Sequence, residues 1–181
     1  MTKSDSQLVG AMGETIVLYE LMHRGWVPAN VNAFVRNARN IDVVAIKEEF
    51  QIALSVKTSG PNSATNFQLG GKPDTPLFNK HNGAKASYVC FVILDSKLSR
   101  AYKIYVVPVQ IAESIIQATD KHWRSMPRRD GQPRKPGIRG IRFSGKDTLG
   151  NIASGFSEKW ACYLDAWDQL ESHLTQQPIL R

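Results

Sequence analysis

Asp42 stands alone as an acid in the apolar, β-branched run Ile41-Asp42-Val43-Val44-Ala45-Ile46. Lys57 is the one charge in the run that follows, Gln51-Ile52-Ala53-Leu54-Ser55-Val56-Lys57-Thr58. Both runs read as strands and Lys47-Glu48-Glu49-Phe50 as the turn between them. Residues whose numbers sum to about 99 then face one another, which predicts Asp42 opposite Lys57. Ser55 lies two residues before Lys57, and the two-residue period of a strand puts it on the same face. An acid, a hydroxyl and an ammonium converge on one patch of an otherwise apolar hairpin. Such a patch serves either as a cross-strand ion pair or as a centre that handles a charged substrate.

Glu14 is the second carboxylate in an apolar setting. In a helix it shares a face with Gly10, Val17, Leu18 and Leu21, and a carboxylate on a packed face needs a cation or hydrogen-bond donors to offset its desolvation. Gly10 and Gly13 flank it without side chains, as a helix backbone lying close to a sheet requires. A glutamate at the rim, reaching water, is the other reading of the same spacing.

The remaining chemistry-bearing residues form no pattern of their own. His23, His81, His122 and His173 have no metal-ligand spacing with one another or with Cys90 and Cys162. Gly70-Gly71-Lys72 is too short for a phosphate loop and follows no strand. Cys162 falls on the apolar face of the last helix pattern and reads as core.

The elements that must position the hairpin follow from periodicity. Ser4-x-x-Gln7 has the form of a capping box and Gly25 is a stop, so residues 6–24 are predicted helical, with Leu8, Val9, Met12, Ile16, Val17, Leu21 and Met22 at helical spacing. Trp26–Val35 reads as a short strand that Pro28 confines to an edge or a bulge. Residues 59–87 carry Gly60-Pro61, Gly70-Gly71, Pro73 and Pro76 and read as one long functional loop. Tyr88–Leu94 and Tyr102–Val107 are buried strands, and Pro108 opens a short helix to about Gln117. Residues 119–150 read as irregular. Ser157 caps a last helix, about 157–174, striped by Trp160, Tyr163, Leu164, Trp167, Leu170 and Leu174.

Charge is concentrated in one place. The 181 residues carry a net +7, and Lys121–Lys146 holds nine basic residues against Asp130 alone. That segment accounts for +8 and leaves the rest of the chain near −1. Lys121, Arg124, Arg128, Arg129, Arg134, Lys135, Arg139 and Arg142, spaced by Pro and Gly beside Trp123, are the candidates for contact with a polyanion such as nucleic acid. A solvated basic loop is the plainer alternative.

With 42% hydrophobic and 22% charged residues, the chain suits one α/β-sized domain that buries about 70% of its unfolded surface. No apolar run approaches the roughly 20 residues needed to cross a bilayer, and Met1–Ser6 lacks the apolar core of a signal peptide. Two cysteines, both within apolar patterns, suit a reduced compartment. A cytoplasmic protein without a membrane partner is expected. One domain spans 1–181, with its core at about 6–118.

Gly13-Glu14 in a first helix, then Ile41-Asp42, then Val56-Lys57-Thr58 together resemble the PD-(D/E)XK nuclease superfamily. The likeness is to small members similar to Holliday-junction resolvases and to bacterial endonuclease-like domains. It covers residues 8–58 by motif and extends to about 108 by pattern. The resemblance implies an α/β restriction-endonuclease-like fold, a mixed sheet of about five strands flanked by helices. It also implies hydrolysis of a DNA phosphodiester, double-stranded or branched, with Mg2+ (or Mn2+). Carried over by position, Asp42 and Glu14 would ligate the metal with the Val56 carbonyl, and Lys57 would orient the attacking water or stabilise the phosphate. Ser55 departs from the family pattern, which places Glu, Asp or Gln there. Glu14, Gln51 or Glu49 would then have to compensate, or the chain is a nuclease-derived nucleic-acid-binding module. Many relatives act as dimers because two strands are cut, so a homodimer is the assembly the resemblance allows.

Overall fold

The computed structural model describes residues 3–35, 40–60, 66–70, 72, 74–94, 102–135, 139–143 and 160–172. Helix α1 (Lys3–His23) opens the chain, three residues earlier than the capping-box reading placed it. It stops where Gly25, at φ +77, lets the Gly25 N–H reach the Met22 carbonyl and the Trp26 N–H reach Leu21, both at 3.0 Å. These are the two bonds of a Schellman cap, a conformation that glycine adopts without strain.

Strand β1 (Val27–Asn30) is shorter than expected and runs into a single 3-10 turn, Val31–Ala33. Strands β2 (Val43–Lys47) and β3 (Phe50–Ser59) form the expected hairpin. Strand β5 (Tyr88–Leu94) and strand β6 (Tyr102–Pro108) follow a stretch that holds a further short strand, β4 (Asn66–Gln68). The main sheet has the order β1-β2-β3-β5-β6, with β3 and β5 parallel and every other pair antiparallel. Pro28 sits on the edge strand, where its missing N–H costs no ladder bond. All seven residues of β5 are buried, as expected of a strand covered on both faces.

Side chains alternate between two cores. Val43, Ala45, Leu54, Val56, Cys90 and Val92 face α1, where Val17, Leu21 and Trp26 meet them. Val89, Phe91, Tyr105 and Val107 face the other way, against Ala112 and Ile116 of helix α2 (Val109–Ser125) and against Phe67, Ile141 and Phe143. The mixed α/β sheet flanked by helices is thus as the sequence reading expected.

Three elements differ from expectation. Helix α2 runs on to Ser125 and takes Lys121 and Arg124 out of the basic loop, because its pattern continues through the Asp120–Arg124 pair and ends only before Pro127. The basic segment is also not wholly irregular: β7 (Gly140–Arg142) pairs antiparallel with β4. Finally, the last stripe is no single helix. Val106 N–H donates to the Tyr163 carbonyl at 2.9 Å and Asp165 N–H, at φ +51, to the Ile104 carbonyl at 2.8 Å. The open edge of β6 captures this segment, and among the described residues after Ala161 only Gln169–Ser172 (α3) is helical. Trp160, Trp167 and Leu170 are buried all the same. The expected cap Ser157 and Leu174 lie outside the described residues. Among those residues no helix is long and apolar enough to cross a membrane.

Candidate active site

Lys47 pairs with Phe50 and Val43 with Leu54, so partners across the hairpin sum to 97. The turn is the two-residue Glu48-Glu49, made possible by Glu48 at φ +55. The expected pairing of Asp42 with Lys57 is therefore corrected by one step of the face: Asp42 lies across from Ser55, and Lys57 is its diagonal neighbour. Long side chains still interact across such a diagonal, and Lys57 Nζ stands 3.7 Å from Asp42 Oδ2.

Asp42 is a hub. Its Oδ2 accepts from the Val56 N–H at 2.6 Å and from Ser55 Oγ at 3.1 Å, besides the Lys57 ion pair. Its main-chain carbonyl accepts the Val31 N–H at 2.9 Å, which docks the 3-10 turn onto the start of β2. Lys57 Nζ also donates to the Val56 carbonyl at 3.1 Å. Ser55 is buried, and its hydroxyl is directed at Asp42. Gln51 and Glu49 do not fill its place, since both sit at the opposite end of the hairpin and are exposed.

Glu14 joins the group through amides that the sequence reading missed. Asn30 Nδ2 donates to Glu14 Oε2 at 2.7 Å, and Asn32 Nδ2 donates both to Glu14 Oε1 at 3.1 Å and to Asp42 Oδ1 at 3.3 Å. The two carboxylates are thus within two hydrogen bonds of each other around one nitrogen. The available signal was the pair Asn30-x-Asn32 at the end of a short strand, since primary amides can donate to two acids at once. Gly13 brings α1 to β3: a Cβ there would lie 1.9 Å from Thr58 Oγ1. Gly10 meets nothing within 4 Å, so it has no such part.

A cavity of about 610 Å³ opens beside Asp42, Ser55 and Lys57, with Asn32, Asn40, Gln68, Leu69 and residues 77–81 as its other walls. Glu14 lies behind Asn32 and does not line it. The 77–81 wall is pinned from three sides. Glu113 of α2 accepts the Leu77 and Phe78 N–H groups at 2.6 and 3.3 Å. Asn79 exchanges two bonds with Ala86, and Asn40 donates to the His81 carbonyl at 2.8 Å. Lys80 and His81 stay exposed at the rim. Behind the site, burial pushes the Cys90 thiol up to about 12, with the negative Asp42 adding to the shift, so Cys90 is core rather than nucleophile.

The basic candidates separate into groups. Lys121, Arg128, Arg129 and Lys135 are exposed, Arg128 lying 3.6 Å from Asp130. Arg124 is engaged by Asp120 at 2.9 Å and Asp74 at 3.4 Å. Arg134 stacks over Trp123, 4.7 Å from the ring centre, and donates to the Met126 carbonyl. Arg139 corrects the expectation outright. It is 2% exposed and donates to the carbonyls of Gly70 and Thr75 and to Thr75 Oγ1, so its charge fastens the 70–75 segment and is not offered to a ligand. The Arg142 side chain lies outside the described residues.

Oxygen donors of the kind that hard divalent cations take stand around Asn32 and Lys57. Glu14, Asp42 and the Val56 carbonyl offer oxygens, and N–H groups of Asn32 and Lys57 now rest against them. Among the described residues no group of three or more His, Cys, Asp or Glu side chains is placed to hold a metal ion.

No family model matches the chain, and no curated protein matches it. Among solved structures, the bacterial homing endonuclease I-Ssp6803I superposes with a TM-score of 0.56 at 14% identity, covering 96% of this chain and 98% of that one. The two share a fold. MepB, with a TM-score of 0.35 at 11% identity over 91% of this chain and 96% of that one, is too distant to argue from.

Proposed function

We propose that this chain is a metal-dependent DNA endonuclease of the PD-(D/E)XK type. The observation that carries the reading is the convergence of Asp42, Lys57 and, through Asn32, Glu14 beside one cavity. Asp42, Glu14 and the Val56 carbonyl would hold Mg2+ or Mn2+, which when bound acidifies water and neutralises charge on a phosphate. Ser55 and the Val56 N–H hold the Asp42 carboxylate in one orientation. Lys57, half-exposed at the cavity, presents an ammonium where a phosphate oxygen would gain charge. The fold shared with a homing endonuclease supports DNA as the polymer. Lys121, Arg128, Arg129 and Lys135 would contact its backbone.

The test is incubation of the purified protein with supercoiled, branched and single-stranded DNA in Mg2+ or Mn2+, with Asp42→Ala alongside. Cleavage that needs metal and disappears in Asp42→Ala is the expected result. Gel shift by both proteins with cleavage by neither would replace this reading with a second one, a nuclease-derived binding module, which the serine at position 55 favours.

A further inference from the structure

Asn30 and Asn32 both donate to Glu14, yet their amides are held differently. Asn30 Oδ1 accepts the Ala33 N–H at 3.3 Å in capping the 3-10 turn, which commits its carbonyl and leaves its NH2 for Glu14. Asn32 Oδ1 accepts no hydrogen bond among the described residues, while its Nδ2 serves both Glu14 and Asp42. The backbone beneath it is fixed, because Val31 is bonded to the Asp42 carbonyl. What stays adjustable is the terminal torsion of the Asn32 side chain, which has a broad, roughly two-fold profile.

We propose that Asn32 is the third oxygen ligand of the divalent-cation site, its amide turning over when metal arrives. The proposal rests on the metal-dependent reading above. Half a turn exchanges Nδ2 and Oδ1, so an oxygen takes a position 3.1 and 3.3 Å from the carboxylate oxygens of Glu14 and Asp42. Neighbouring ligands of an octahedral Mg2+, with bonds of about 2.1 Å, stand about 3.0 Å apart. The amide position therefore already stands from each carboxylate oxygen at about the spacing of neighbouring ligands in such a shell. The amide also supplies what Ser55 does not, since the serine hydroxyl is directed at Asp42 Oδ2. Without metal the NH2 stands in for the cation and keeps two carboxylates from facing each other unscreened.

The two states demand opposite things of position 32, and that makes the proposal testable. Mn2+ is titrated by calorimetry into the parent, Asn32→Asp, Asn32→Ala and Asp42→Ala, and thermal unfolding of each is followed with and without Mn2+. Asn32→Asp should unfold at lower temperature than the parent without metal, because a third carboxylate then replaces the amide that donated to the other two. It should bind Mn2+ about tenfold more tightly. Asn32→Ala should bind at least about tenfold more weakly. If the parent binds Mn2+ and Asp42→Ala does not, while Asn32→Ala binds as well as or better than the parent, Asn32 is only a spacer and the proposal is overturned with the metal-dependent reading intact. If the parent itself binds no Mn2+, both are overturned together.

Discussion

Replacing Gly13 with alanine places a methyl group 1.9 Å from Thr58 Oγ1, 2.8 Å from Cγ2 and 2.9 Å from Cβ. Turning the threonine side chain relieves the first two contacts but not the third, because Cβ is fixed to the backbone of β3. A comfortable carbon–carbon contact is about 3.5–4.0 Å, so α1 must back away from the sheet by roughly 1 Å at this point. Overpacking of this kind costs about 1–3 kcal/mol. Alanine is also the better helix former, by about 1 kcal/mol, which masks part of the loss. Gly10→Ala supplies the correction: the same exchange in the same helix meets nothing within 4 Å, so it should stabilise by up to about 1 kcal/mol. The propensity gain is common to both, and the difference between the two variants isolates the clash at about 1–3 kcal/mol. Urea denaturation of both, read from midpoints at a common slope, measures it. In a chain of this size it corresponds to roughly 2–4 °C of Tm per kcal/mol. Thr58→Ala in the Gly13→Ala background removes Oγ1 and Cγ2 and should recover part of the loss. Equal stability of the Gly10 and Gly13 variants, or no recovery with Thr58→Ala, would refute the close approach that sets Glu14 beside the sheet.

Four further outcomes follow from charges and buried groups. Arg139→Ala should lower stability by about 1–3 kcal/mol, since it removes a buried side chain and its charge-assisted hydrogen bonds to the carbonyls of Gly70 and Thr75. Joint replacement of Lys121, Arg129 and Lys135 by glutamine should instead leave stability within about 0.5 kcal/mol and flatten the salt dependence of DNA binding by up to about three phosphate contacts. Fluorescence-detected unfolding and binding at several salt concentrations separate the two effects. The Cys90 thiol is raised to about 12 in the fold, whereas an unfolded thiol titrates near 8.5. Its contribution is thus complete below about pH 8.5 and declines above it by up to about 1.4 kcal/mol per pH unit until about pH 12. Cys90→Ala should show a shallower alkaline loss in urea titrations at pH 8 and 10.5. Glu113→Ala frees the Leu77 and Phe78 N–H groups, and their hydrogen exchange should accelerate by about tenfold or more, with no such change at the pinned Ala86.

The hairpin was legible because its signal is local: two β-branched runs around a charged turn admit few alternatives. Its register was not, because one residue of left-handed backbone at Glu48 decides between a two-residue turn and a longer one. Glutamate carries no marker for that choice. Glu14 stood out as a carboxylate on a packed face, and the glycine beside it marked the close approach, but its partners did not show. Asn30 and Asn32 lie in the Trp26–Val35 stretch that reads as a short strand, and nothing marks them as partners of Glu14 until β1 and α1 are set side by side. Arg139 was misread for a related reason: a basic run announces its net charge, while burial of one member depends on where Gly70 and Thr75 fall. The broken last helix shows the same limit, since the open edge of β6 outcompeted a good helical stripe.

The parallel pairing of β3 with β5 has a consequence for the order in which the chain takes shape. Glu14, Asn32, Asp42, Ser55 and Lys57 all emerge early in synthesis, on elements that follow one another and pair with short loop closures. Ser55, Val56 and Lys57 nevertheless find their sheet partners in Val89, Cys90 and Phe91, which are made some thirty residues later. Until then the growing polypeptide carries Ser55 and Lys57 on a strand whose far edge is an open row of N–H and C=O groups, the kind of edge that pairs with other chains. The half that holds the candidate site is therefore made first and covered last. A nascent chain stalled before residue 88 is the species that depends most on a chaperone.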